Sequence, residues 1–99
     1  MRALRFHPEA DEELTEAREW YEARSEVAAQ AFALEIDHAV DRILEAPLRY
    51  PIGRRGERRF VLDRFPYTIL YRVAEDHVFI TAVAHQSRRP GYWRHRRET

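Results

Sequence analysis

The hydrophobic period of this chain changes near its middle from about 3.6 residues to about 2, and that change limits the possible folds more than any other feature. From residue 8 to residue 46 the apolar positions keep helical spacing. Ala10, Leu14, Ala17 and Tyr21 recur at intervals of four, three and four, which predicts a helix over roughly 8–23. Pro8 suits the first helical position, where its missing N–H costs nothing, and Glu9, Asp11, Glu12 and Glu13 complement the helix dipole. Arg24-Ser25-Glu26 breaks the pattern and places Ser25 to cap a second helix. Phe32, Ile36, Val40 and Ile43 give that helix its apolar face, with Ala29, Ala39 and Leu44 beside them. Pro47 disfavours helical geometry in the residue before it, so the helix ends near Ala46. Two amphipathic helices joined by a short break predict an antiparallel hairpin.

Pro47 to Glu57 holds two Pro, two Gly and three Arg and reads as a loop. Beyond it Phe60 and Leu62 alternate with Arg59 and Val61. Asp63-Arg64-Phe65-Pro66 is a turn, and Tyr67, Ile69, Tyr71 and Val73 then alternate with Thr68, Leu70 and Arg72. After a second turn at 74–77, Val78, Ile80 and Ala82 alternate with Phe79, Thr81 and Val83. Three such strands predict an antiparallel meander. Leu4 and Phe6 flank Arg5 as a short first strand. The expected fold is α+β: an N-terminal strand, a two-helix hairpin on a mostly antiparallel sheet, a three-stranded C-terminal meander, and a basic tail from about Ser87. Residues 1–99 make one domain, since single cores usually span about 100–150 residues.

The formal net charge is zero, but it is unevenly spread: residues 1–49 hold six Arg against twelve Asp or Glu, and residues 50–99 hold eleven Arg against five. Opposite signs on the two halves predict an acidic face and a separate face for an anionic partner. Every cation is Arg, whose planar fork of donors suits phosphate and carboxylate. With no Cys there is no disulfide framework or thiolate metal site. The five His show no short ligand spacing and no HExxH pattern, and the three Gly form neither GxGxxG nor a P-loop, so neither metal nor cofactor is expected. The N-terminal segment lacks the apolar run of a signal peptide, and no stretch of about 18 apolar residues occurs, so a cytoplasmic, non-membrane protein is expected. The glutamates of the first helix read as a solvated surface.

Candidate functional residues gather late in the chain. Arg88, Arg89, Arg94, Arg96 and Arg97 surround Tyr92 and Trp93, the mixture by which nucleic-acid sites neutralise phosphates and stack bases. Arg59 and Arg72 lie on strands and belong to the same expected surface. His85 ends the last strand with an intrinsic pKa of about 6.5, suited to general acid or base work. Arg64, in the turn, and Arg88 could stabilise a pentavalent phosphate beside it. A frayed basic terminus with docked aromatics, and arginines paired with helix carboxylates, are the plainer alternatives.

Several ordered stretches carry a resemblance. These are Leu4-Arg5-Phe6-His7-Pro8-Glu9-Ala10, Glu19-Trp20-Tyr21-Glu22, Ala46-Pro47-Leu48-Arg49-Tyr50-Pro51, Arg64 through Val73, and Ala82-Val83-Ala84-His85-Gln86-Ser87 through Trp93. Together the chain resembles the RelE/ParE superfamily of type II toxin–antitoxin systems, the plasmid-stabilisation toxins. The resemblance implies a cognate antitoxin whose C-terminal segment wraps the toxin, with Trp20, Phe65 and Tyr92 as candidate contacts. It also implies one of two targets. RelE-like members cut ribosome-bound mRNA without a metal, which would make His85, Tyr92, Arg64 and Arg88 catalytic. ParE-like members poison DNA gyrase. Tyr92 falls where the nuclease branch has its tyrosine, but Asp63 and Gln86 fall where it has arginines. His85-Gln86-Ser87 resembles the ParE-like strand ending, so the resemblance favours a gyrase inhibitor. A non-toxic nucleic-acid-binding module is the third reading.

Overall fold

The computed structural model describes residues 2–98. Its elements are β1 (Ala3–Phe6), α1 (Pro8–Glu22), α2 (Glu26–Glu45), β2 (Arg58–Val61), β3 (Tyr67–Val73) and β4 (His77–His85). Local chemistry sets the helix starts. His7 Nδ1 accepts the Glu9 N–H at 3.0 Å ahead of Pro8, and Ser25 Oγ accepts the Ala28 N–H at 3.2 Å. The helices turn back on one another across Ala23 to Ser25, as the interrupted apolar stripes predict.

The sheet order is β1-β4-β3-β2. β2, β3 and β4 form the expected antiparallel meander, while β1 runs parallel to β4. The α+β reading therefore holds, with the first strand beside the last. Pairing of β1 ends at Phe6 opposite Ile80, so the second half of β4 has no strand on its outer side. The register of β3 and β4 also slips at Leu70/Tyr71, leaving Thr81 as the extra residue of a bulge.

The main core lies between the helix pair and one face of the sheet. Ala10, Ala17, Phe32, Ile36 and Ile43 pack against Ile69, Tyr71, Val78, Ile80 and Val83. Tyr71 is fully buried, and its hydroxyl donates to Pro47 O at 2.7 Å. Burial pushes its pKa up to about 12, against the opposing pull of Arg58. Tyr21, Phe32, Phe65 and Tyr67 meet ring to ring at one end of this core. Phe65, expected to touch an antitoxin, is thus largely spent on core packing.

A second, smaller cluster lies on the opposite sheet face, where Trp93 and Tyr92 cover Leu70, Ala82 and Ala84. The tail is therefore neither frayed nor free: it folds back over the sheet in a series of turns. Trp93, a candidate for nucleic-acid contact, is only 9% exposed and docks on the sheet, as the plainer alternative has it. Among the described residues no helix is long and apolar enough to cross a membrane.

Candidate functional site

Two faces of the molecule differ in charge because strands alternate sides. Cross-strand register puts Arg59 beside Leu70 and Leu70 beside Ala82, so all three point away from the helices. Arg72, paired with Phe79, points the same way. The loop before β2 adds Arg54 and Arg55, and the returning tail adds Arg88, Arg94 and Arg97. Arg54, Arg55, Arg59, Arg88 and Arg94 line a cleft of about 860 Å³ floored by Thr68, Leu70 and Ala84. A neighbouring cleft of about 430 Å³ shares Arg55 and Arg94 and adds Arg72, Arg96 and Arg97. The acidic helices lie on the other side of the sheet.

Not all the predicted arginines are available there. Arg96 is 7% exposed. Its Nη1 and Nη2 each lie 2.9 Å from a Glu13 carboxylate oxygen, Nη1 also donates to Thr81 O at 3.1 Å, and Glu9 stands 3.5 Å from Nε. Arg96 thus pairs with helix carboxylates, the plainer of the two expectations. Arg72 contacts buried Glu57 at 3.4 Å. Arg54, Arg55, Arg59, Arg64, Arg88, Arg89, Arg94 and Arg97 have no carboxylate partner among the described residues.

Glu13 is the residue that sequence reasoning misjudged. It reads as part of a solvated helix face, yet its carboxylate meets four donors: both Arg96 nitrogens, the Val83 N–H at 3.0 Å, and the Tyr92 hydroxyl. With Arg96 on Thr81 O, it covers the stretch of β4 that β1 leaves bare, so this edge is closed to a further strand. The only sequence signal was the crowding of four carboxylates at 9–13 on one helix beside a tail with a surplus of arginine.

Three of the four residues of the nuclease reading come together and the fourth does not. His85, Arg88 and Tyr92 line one cleft. Arg64 instead lines a separate cleft with Leu34, His38 and Val61, at the α2–β2 side. Its backbone N–H and that of Asp63 are held by the Glu35 carboxylate. Tyr92 donates its hydroxyl to Glu13, and Arg88 stacks on its ring at 3.8 Å. Burial, that hydrogen bond and the Glu13 charge push the Tyr92 pKa well above the ordinary tyrosine value, so the phenol holds its proton. His85 Nδ1 accepts from the Ser87 N–H at 3.0 Å, and the ring stands edge-on to Tyr67.

Trp20 differs from the other candidate antitoxin contacts in being 52% exposed, with the Arg24 guanidinium 3.7 Å from its ring centroid. It lines a cleft of about 430 Å³ with Glu16, Tyr21, Tyr67, His85 and Arg88, between α1 and the end of β4.

The family model of the ParE toxin of type II toxin–antitoxin system, parDE, matches residues 4–90. The chain belongs to the ParE toxin family. Its RelE/ParE character, expected from the ordered motifs, is therefore of the ParE kind. The match ends before the last eight described residues, so Trp93 and Arg96 lie outside the matched span. A solved structure described as the chromosomal ParDE TA system from P. aeruginosa superimposes with a TM-score of 0.71 at 20% identity, covering 86% of this chain and 96% of that one. At that identity the likeness concerns the fold. No curated protein sequence matches significantly.

Proposed function

We propose that this ParE-family toxin acts by poisoning DNA gyrase, as a binding protein, and that a cognate antitoxin holds it inactive. One observation beyond the family carries the choice of target. The tyrosine required by the nuclease reading gives its hydroxyl hydrogen bond to Glu13, and Arg64 stands in a different cleft. Three of the four residues that would cut RNA share a cleft but Arg64 is not among them, whereas Arg54, Arg55, Arg59, Arg88, Arg94 and Arg97 line two adjoining clefts suited to recognition.

The antitoxin is proposed to lie in the cleft between α1 and the end of β4, over Trp20. An exposed aromatic ring beside a mixed acidic and basic wall suits the apolar anchor of a partner segment. Inducing the toxin alone should arrest growth and switch on the DNA-damage response, and co-expression of the neighbouring open reading frame should restore growth. Arrest with an unperturbed damage response would defeat the gyrase reading.

Ribosome-dependent mRNA cleavage has one observation in its favour: His85 lines the arginine cleft with its Nδ1 fixed by Ser87. It predicts cuts within translated codons in a translating extract, and intact mRNA there would eliminate it.

A further inference from the structure

We infer that the arginine face is a binding site for the phosphate backbone of duplex DNA, so that the toxin grips DNA directly as well as its protein target. The inference deepens the gyrase reading, whose target works on duplex DNA.

The charge on this face is uncompensated. Arg54, Arg55, Arg59, Arg88, Arg94 and Arg97 line the two adjoining clefts without a carboxylate partner among the described residues. The acidic residues lining them are Glu57 and Glu98, and both are already engaged, Glu57 by Arg72 and Glu98 by Arg5 and His77. Six guanidinium groups around one shallow, solvent-open surface repel one another, and a polyanion relieves that repulsion.

The surface is also held in place before any ligand arrives. Gly91 has φ +78°, and a Cβ there would collide with the Arg94 side chain, so the glycine lets Arg94 fold tightly over the turn. Arg97 Nη1 donates to Arg94 O at 2.7 Å. Trp93 anchors the same segment to Leu70 and Ala82.

The aromatic side chains decide which polyanion fits. Single-stranded nucleic acid is held by rings on which bases stack. Here Trp93 and Phe79 are buried, and the Tyr92 ring is capped by Arg88 on its face. Among the described residues of this face no ring is offered as a stacking platform, while forks of donors are offered in number. Guanidinium groups with no open ring beside them match a ligand whose bases are already paired and whose phosphates face outward.

The test is fluorescence anisotropy of purified toxin with a labelled duplex of mixed sequence. If four to six phosphates are neutralised, log affinity against log salt should have a slope of roughly −4 to −5. Arg55→Gln/Arg94→Gln should lower that slope by about 2 and weaken binding roughly 10- to 100-fold near 0.1 M salt. Arg54→Gln/Arg59→Gln, on the loop and β2, provides a second pair should the tail variant fail to fold. Arg18→Gln, on the acidic helix side, should change nothing. Salt-insensitive or absent duplex binding overturns the inference, as does tighter binding of single-stranded RNA or of a poly-glutamate peptide. Gyrase itself separates the two readings. Trapped cleavage complexes without duplex binding refute the DNA site and leave the gyrase reading standing; duplex binding without trapping does the reverse.

Discussion

Glu13 and Arg96, 83 positions apart in the chain, face each other as a two-armed ion pair with both N–O distances 2.9 Å. The pair joins the first helix to the last segment across the bare part of β4, and its side chains are 13% and 5% exposed.

Removing one partner leaves the other charge buried. Glu13→Gln or Arg96→Met is expected to cost about 3–5 kcal/mol. A domain of this size has only about 5–15 kcal/mol of stability. The melting temperature should fall by roughly 12 °C or more by circular dichroism. Glu13→Gln/Arg96→Met together should lose clearly less than the sum of the two single losses, since neither charge is then stranded and the glutamine oxygen can still accept from Val83 N–H or the Tyr92 hydroxyl. Near-additive losses in the double variant would mean that the pair is not the unit that holds the tail.

Gly91→Ala tests the tail turn. A φ of +78° is strained for alanine, and the new methyl meets Arg94, so a loss of about 1–3 kcal/mol is expected in chemical denaturation. Duplex binding should weaken with it, because Arg94 is displaced.

The tail also carries a pH-sensitive tie. His77 Nδ1 lies 2.8 Å from Asp76 Oδ1, and its Nε2 lies 2.6 Å from Glu98 Oε2 without hydrogen-bond geometry. The Asp76 hydrogen bond, and against partial burial the Glu98 carboxylate, raise the His77 pKa above 6.5. A raised folded-state pKa means protonation favours the folded form. That stabilisation is complete below the ordinary value and disappears as the pH rises through the raised one. Asp76, held below its ordinary 3.8 by the same hydrogen bond, contributes in the opposite sense: its share fades as the pH falls through its depressed value. Melting temperature should therefore drop between about pH 6 and pH 9 in the wild type more than in His77→Gln. Equal drops would exclude His77 as the tie.

Much of the fold was legible because its signals are local. The switch of period separates helices from strands, Ser25 caps as expected, and Pro47 ends α2 at the predicted place. Strand order was not legible, since the parallel β1–β4 pairing depends on which edge the hairpin crosses. The site was legible only in part, for the same reason. Glu13 looks like its solvated neighbours until β4 places Val83, Tyr92 and Arg96 around it. Arg54 and Arg55 sit in a Pro- and Gly-rich loop whose direction no periodicity reports. Arg96 reads as surface, and the packing site of Trp93 stays unread, because their partners, Glu13 and Leu70, are distant in sequence.

Trp20→Ala should leave the melting temperature within about 1 °C, given its exposure, while weakening antitoxin binding by roughly 30-fold or more if it is an anchor. Calorimetric titration of toxin with purified antitoxin measures this directly. Unchanged affinity would move the antitoxin off this cleft.

Purified gyrase, supercoiled plasmid and purified toxin, quenched with detergent and protease, give the most direct measurement of gyrase poisoning. Toxin-dependent accumulation of linear plasmid, suppressed by stoichiometric antitoxin, is the predicted result. Supercoiling that proceeds normally with no linear plasmid, at toxin concentrations that arrest cells, would contradict it.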